Sequence, residues 1–151
     1  MPVYPSWKFA LILARVALAS AFLSAVADRF GFWGAMGQPG VSWGSMQGFY
    51  LHVAKLVPWA PDMAVPALAW FVDILEAVLG ILLLAGIQLR RTAWVSGVLL
   101  LVFAISMVLF QSLKLALNFS VLTCSACSFL LYLAYAAPRD VEPVAVPPKD
   151  V

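Results

Sequence analysis

Charge is scarce in this chain. Aspartate, glutamate, lysine and arginine make up 11% of its 151 residues, whereas 64% are hydrophobic. A soluble domain is closer to half apolar and a quarter charged, so there is too little polar surface here to cover a water-soluble globule. Histidine occurs once and cysteine twice. That argues against a conventional zinc site, which draws three or four ligands from His, Cys and carboxylates, and no metal is expected. No haem-ligand set, flavin motif or nucleotide-binding loop is present either, so no covalently bound cofactor is expected. The basic residues are scattered and the net charge is only +2, which leaves no electrostatic footprint for nucleic acid.

What the chain has in quantity is long apolar runs. About 20 such residues in a helix cross the ~30 Å hydrocarbon layer. Four runs qualify: Trp7–Ala27, Val65–Ile87, Thr92–Ser112 and Phe119–Ala137. The expected fold is an all-α membrane protein, a four-transmembrane-helix bundle over residues 1–137 with one long outer loop. Gln88–Arg91 reads as a tight turn, and Lys114 and Asn118 flank a short link between spans three and four. Residues 138–151 hold four prolines and five charges, the composition of a disordered tail. Lys8, Arg90, Arg91, Arg139 and Lys149 fall on one side of such a bundle, and Arg29, Lys55 and Lys114 on the other. The positive-inside rule then puts both termini, and the tail, in the cytoplasm. A cleavable signal peptide is the rival reading of the first run, with Ala25-Val26-Ala27 as its cleavage site; Arg15 inside the apolar region and the length of the run count against it.

Residues 28–62 form the outer loop. Its first half is rich in glycine and aromatics. In its second half Met46, Phe49, Tyr50, Val53 and Leu56 recur at three- and four-residue spacing, which predicts an amphipathic helix over residues 45–57. Pro58 ends it. Gly48, His52 and Lys55 take the opposite side, so His52 reads as a solvated residue. The helix either lies flat on the leaflet or caps the mouth of the bundle.

Asp73 and Glu76 stand inside the second apolar run. At ~1.5 Å rise per residue, Glu76 lies ~16 Å and Asp73 ~12 Å below the outer surface. Arg15 comes to nearly the depth of Glu76 from the other side. An unpaired charge at that depth costs at least about 2.5–3.5 kcal/mol, so an Arg15–Glu76 ion pair is expected in the bundle interior. Asp73 has no evident partner, and either stays protonated beneath the amphipathic helix or lines a cavity open to the outer side. Gly80 lets another helix approach the same face. Arg15, Phe22 and Arg29 form a heptad row on span one. The charges either bind a polar head or relay a proton, or they only orient the helices.

Cys124 and Cys127, three apart in "SVLTCSACSFLL", admit two readings. One is a redox dithiol, as in the membrane helices of the vitamin K epoxide reductases, which this stretch resembles. The other is a small-residue stripe for close helix packing, with both thiols reduced and unbonded in a regular helix.

The order of these features resembles the DoxX-like family of small bacterial membrane proteins. "ARVALASAFLSAVADRF" looks like the family's first span, with Arg15, Phe22 and Ser24 on its arginine, phenylalanine and serine. "EAVLGILLLAGIQLR" looks like its second, with Glu76, Gly80, Gly86 and Arg90 in place. A lysine typical of the end of span one is replaced here by Asp28-Arg29. The resemblance implies a four-helix bundle in the bacterial inner membrane, and a redox-linked subunit that takes a quinone or similar amphiphile between its helices. Arg15, Asp73 and Glu76 would form the polar edge of that site, with Trp33, Trp43 and Phe49 closing its mouth. A redox partner subunit is implied as well. Two alternatives stay open: a non-catalytic membrane scaffold, and a thiol–quinone oxidoreductase using Cys124 and Cys127.

Overall fold

A computed structural model describes residues 5–136. The expected disordered tail lies outside the described residues. All regular structure among them is helical: α1 (Pro5–Arg29), α2 (Met46–Leu56), α3 (Val65–Ala85), α4 (Leu89–Phe110), α5 (Leu113–Asn118) and α6 (Val121–Ala136), with a 3-10 turn at Asp62–Ala64 before α3. Among the described residues α1, α4 and α3 with its leading turn are long and apolar enough to cross a membrane. At 16 residues α6 is apolar but shorter. The outward faces carry large apolar side chains such as Ile12, Ile74, Ile81, Ile105 and Leu109. Water would not tolerate so continuous an apolar exterior, whereas lipid does. The chain has the make-up of a membrane protein.

The long helices pack as two antiparallel pairs. In the first, Gly80 of α3 sits against α1, where an added Cβ would meet the Leu23 side chain at 2.8 Å. The expectation that Gly80 permits close approach therefore holds. In the second pair, α4 and α6 meet along small residues. Ser125 Oγ donates to the Gly97 carbonyl at 2.9 Å, and Ser128 Oγ donates to the Cys124 carbonyl at 2.9 Å. A hydroxyl in an apolar helix contact must find such an acceptor. The stripe expected on span four is thus present, but Ser125 and Ser128 occupy its buried centre, while Cys124 and Cys127 are half-buried with free thiols. Replacing Gly97 with leucine drives a side chain into the Phe129 ring, already 2.9 Å from a Cβ at this position. Overpacking of this kind costs about 1–3 kcal/mol, so G97L is expected to unfold at lower denaturing-detergent fraction than wild type. Unchanged unfolding would show that the two helices are not held this closely.

The connections differ from the sequence reading in two places. The turn after α3 is Gly86–Gln88, not Gln88–Arg91. Gly86 takes the left-handed conformation (φ 75°) that ends the helix, and α4 already begins at Leu89. Beyond α4 the short link is a helix, α5, capped by Ser112, whose Oγ accepts from Leu115 N. Ser120 at φ 54° separates it from α6, so the run expected to cross as one span from Phe119 begins helical only at Val121.

Helix α2 matches the amphipathic helix expected over residues 45–57. Ser45 caps its start, accepting from Gly48 N at 3.1 Å. Phe49 and Val53 pack on Val65 and Ala69 at the start of α3, while Leu56 joins Ala104 and Met107 of α4. The helix therefore spans both pairs across one end of the bundle. Gly48, assigned to the polar side, is buried, and the Trp43 carbonyl lies where its Cβ would be. At this close approach only a residue without a side chain fits.

Candidate functional site

The buried charges are organised around Arg29, the last residue of α1. Its Nη1 donates to Asp73 Oδ1 at 2.9 Å and stands in ion-pair contact with Glu76 Oε2, though no N–H is aligned on that second oxygen. The guanidinium also lies over two rings, 3.7 Å from the Phe49 centroid and 4.9 Å from that of Trp43. Arg29, Asp73 and Glu76 are all less than 5% exposed. A third carboxylate supports the arrangement from behind. Asp28 Oδ2 accepts from Ser42 N at 3.1 Å and from Trp43 N at 2.8 Å. That fixes the loop, and with it the Trp43 ring, beside Arg29. The choice of arginine follows from its planar, delocalised head, which can serve carboxylates at its edge and aromatic faces at once.

This geometry corrects two expectations. Arg15 does not pair with Glu76. Its Nε and Nη2 donate to the Leu83 and Leu84 carbonyls at 3.2 and 3.3 Å, about two turns further along α3. There it joins the Gly86 N–H on the Leu83 carbonyl and takes that of Leu84 at the end of the helix, and it packs on Gly86. The expected register aligned the ends of the two apolar runs, whereas α1 continues to Arg29 and slides along α3 until that residue faces the carboxylates. Asp73, expected to be a protonated donor without a partner, is instead held in the ion pair with Arg29. Trp33 also stands apart from the site. It is exposed, and its indole N–H donates to the Ser24 carbonyl at 3.1 Å.

Trp43, Phe49 and Glu76 are brought together as expected, and Arg29 and His52 join them. All five line a cavity of about 370 Å³ between the two helix pairs, under α2. Its remaining walls are almost wholly apolar, from Leu18 and Phe22 on α1 to Leu100 and Met107 on α4. Cys124 lines the cavity, whereas Cys127 does not. On α4 and α3, Val102 and Phe71 line it and are also exposed, at 53% and 64%, on the outer surface of the bundle. The volume falls within the ~300–1,000 Å³ of small-molecule sites, and an apolar chamber with a few convergent polar groups is their usual composition. Among the described residues no group of three or more His, Cys, Asp or Glu could hold a metal ion.

Sequence reasoning placed His52 on the solvated side of α2. Phe49, His52, Val53 and Leu56 in fact follow the helical spacing of one face, and the imidazole lies 5.6 Å from the Trp43 ring and 6.4 Å from Phe49. Burial lowers its pKa to about 4, helped by the positive charges of Arg29 and Lys55. A depressed histidine pKa means that the unfolded chain binds the proton more readily. Its contribution is complete above pH ~6.5 and is lost as the pH falls towards 4. Because this is the only histidine, nitrogen NMR of labelled protein reads it without ambiguity. A midpoint near 4 is expected, and a midpoint near 6.5 would place the ring in solvent. Arg29 was legible in part, since it closes the heptad row from Arg15 and Phe22.

No known protein family, curated protein or solved structure matches this chain. What defines the molecule is its own geometry: an all-helical chain with membrane-length apolar helices, and an apolar chamber edged by a buried arginine–carboxylate cluster.

Proposed function

We propose that this chain is a DoxX-like membrane subunit that holds a quinone or similar amphiphile in the chamber under α2, as the redox-linked component of a complex. The observation that carries this reading is the meeting of the chamber with Arg29, Glu76 and His52 at one end of an otherwise apolar space. A polar head would lie at that cluster and a hydrocarbon chain along Leu18, Phe22 and Leu100. Trp43 and Phe49 would cover the head and keep water out. The resident group would supply any electron transfer, while these residues bind and orient it. In this reading the protein lies in the cell inner membrane and crosses it four times. The 16 residues of α6 rise ~24 Å, and α5 before it brings the segment towards the hydrocarbon thickness. Arg90 and Arg91, in the first turn of α4, would favour both termini on the cytoplasmic side.

A scaffold role, with chemistry left to a partner subunit, is favoured by one observation: Arg29 already has two carboxylates and two rings. A thiol–quinone reaction is supported only by Cys124 at the chamber wall. Purification in lipid nanodiscs followed by extraction and mass spectrometry separates the first two readings. A stoichiometric amphiphile, enriched over the bulk lipid, is expected. Recovery of bulk lipid alone would favour the scaffold.

A further inference from the structure

We propose that the long loop between α1 and α2 is an apolar collar seated in the interfacial zone of a lipid leaflet, with the Trp33 ring reaching down beside α1, so that this surface meets lipid and neither water nor a partner subunit. The proposal rests on the membrane reading of the helices and is independent of what the chamber holds.

No aspartate, glutamate, lysine or arginine occurs from Phe30 to Ala54. A segment of that length with the composition of a soluble domain would carry about six. Nor is the apolar content folded away. Phe32, Trp33, Met36, Trp59 and Met63 are each between 57% and 87% exposed. So much exposed apolar surface at one end of a molecule marks a contact.

Lipid is the occupant that the geometry favours, because the surface continues the outward faces of the helices. The Trp33 indole N–H donates to the Ser24 carbonyl at 3.1 Å. Ser24 follows Phe9, Leu13, Val16 and Ser20 in an exposed row along α1, so the ring lies back against the face that lipid covers. Phe30 meets the ring of Trp70, an exposed residue of α3, edge-on at 6.1 Å between centroids.

Depth follows from the same contacts. Ser24 stands five residues before Arg29, which is about 7.5 Å down the helix. A tryptophan whose N–H has a protein acceptor needs neither water nor a head group at that depth. The main chain of the loop is irregular, with Gly31, Gly34, Gly37, Gly40 and Gly44 all at positive φ. Irregular backbone is not tolerated in the hydrocarbon core. The backbone therefore stays among the head groups and only side chains enter the acyl chains, as in an aromatic belt. The same loop holds Trp43 over Arg29, so a collar seated in lipid also keeps water from the buried charges.

The test places nitroxide labels on the full chain in phosphatidylcholine nanodiscs, with Cys124 and Cys127 replaced by alanine. Collision rates with oxygen and with a water-soluble nickel chelate read depth. Ile105→Cys, on the outward face of α4, is the reference for hydrocarbon, and free label in buffer is the reference for water. Phe32→Cys and Met36→Cys should give oxygen-to-nickel ratios nearer to that of Ile105→Cys than to that of free label. Ratios nearer to free label would put the loop in water, open to a partner subunit, and overturn the proposal. A water-like ratio at Ile105→Cys as well would end the membrane reading with it. A second measurement leaves the native cysteines in place. The emission lost on Trp33→Phe should be quenched by lipids brominated on the upper acyl-chain carbons and spared by aqueous iodide. Quenching by iodide and not by brominated lipid would overturn the seat assigned to Trp33.

Discussion

Replacing Arg29 with methionine is expected to destabilise the fold by about 3–5 kcal/mol, the range for breaking a buried ion pair at one partner. Methionine fills much of the same volume and keeps contact with Phe49 and Trp43. It leaves Asp73 and Glu76 facing each other without a cation in the interior. The effect is therefore one of uncompensated charge more than of lost packing. Two further variants separate these causes. Adding Asp73→Asn and Glu76→Gln to the same chain removes the charge and should restore most of the loss. Arg15→Met, in contrast, removes only two hydrogen bonds to helix-end carbonyls, one of which keeps the Gly86 N–H, and should cost about 1–2 kcal/mol. Unfolding by titration with denaturing detergent, followed by helical circular dichroism, reads all three. Equal losses at Arg15 and Arg29 would mean that Arg29 does not organise the buried charge.

Filling the chamber should remove its ligand without harming the fold. Ala25 lines the space from α1 and is only half-buried, so an indole at this position has the chamber itself to occupy. In Ala25→Trp the amount of copurified amphiphile should fall to below about a tenth of wild type, a change of at least about 1.4 kcal/mol in binding. The unfolding transition should stay level or rise, because a filled space gains the contacts that its lining lacks. Undiminished amphiphile in this variant would place the bound molecules on the outer surface of the bundle. Loss of the fold instead would show that the walls are closer together than about one indole, against the volume described.

The helices were legible because lipid demands long apolar runs and the amphipathic loop helix repeats its pattern without interruption. The capping residues Ser45 and Ser112 and the left-handed Gly86 then set their ends. Register was not legible. A run of apolar residues marks where a helix can cross, but not how far it slides along its neighbour, and here the slip leaves Arg15 about two turns past Glu76 and brings Arg29, at the other end of α1, to the carboxylates. The missed signal was local: Asp28-Arg29 stands where the resembled family has a lysine, and a charged pair at the end of an apolar helix can fold inwards if a loop covers it. Here Asp28 binds that loop through Ser42 N and Trp43 N. His52 was misread for a related reason. Polarity assigned it to the solvated side of α2, whereas its spacing from Phe49 put it on the inner one. A polar residue at an inward position breaks the hydrophobic pattern, and such breaks belong to sites where the pattern yields to function.

Whether an amphiphile occupies the chamber is tested most directly by photolabelling in intact membranes. An alkyl hydroquinone bearing a diazirine on its chain would be irradiated with the full-length protein, and the labelled peptides mapped by mass spectrometry. Label is expected on the chamber-facing residues Leu100 and Met107 of α4 and Val53 and Leu56 of α2, and unlabelled hydroquinone should compete it away. Label confined to the outward residues Ile74, Ile81 and Ile105, and indifferent to competitor, would contradict a binding chamber and leave the charged cluster as a device for holding helices together.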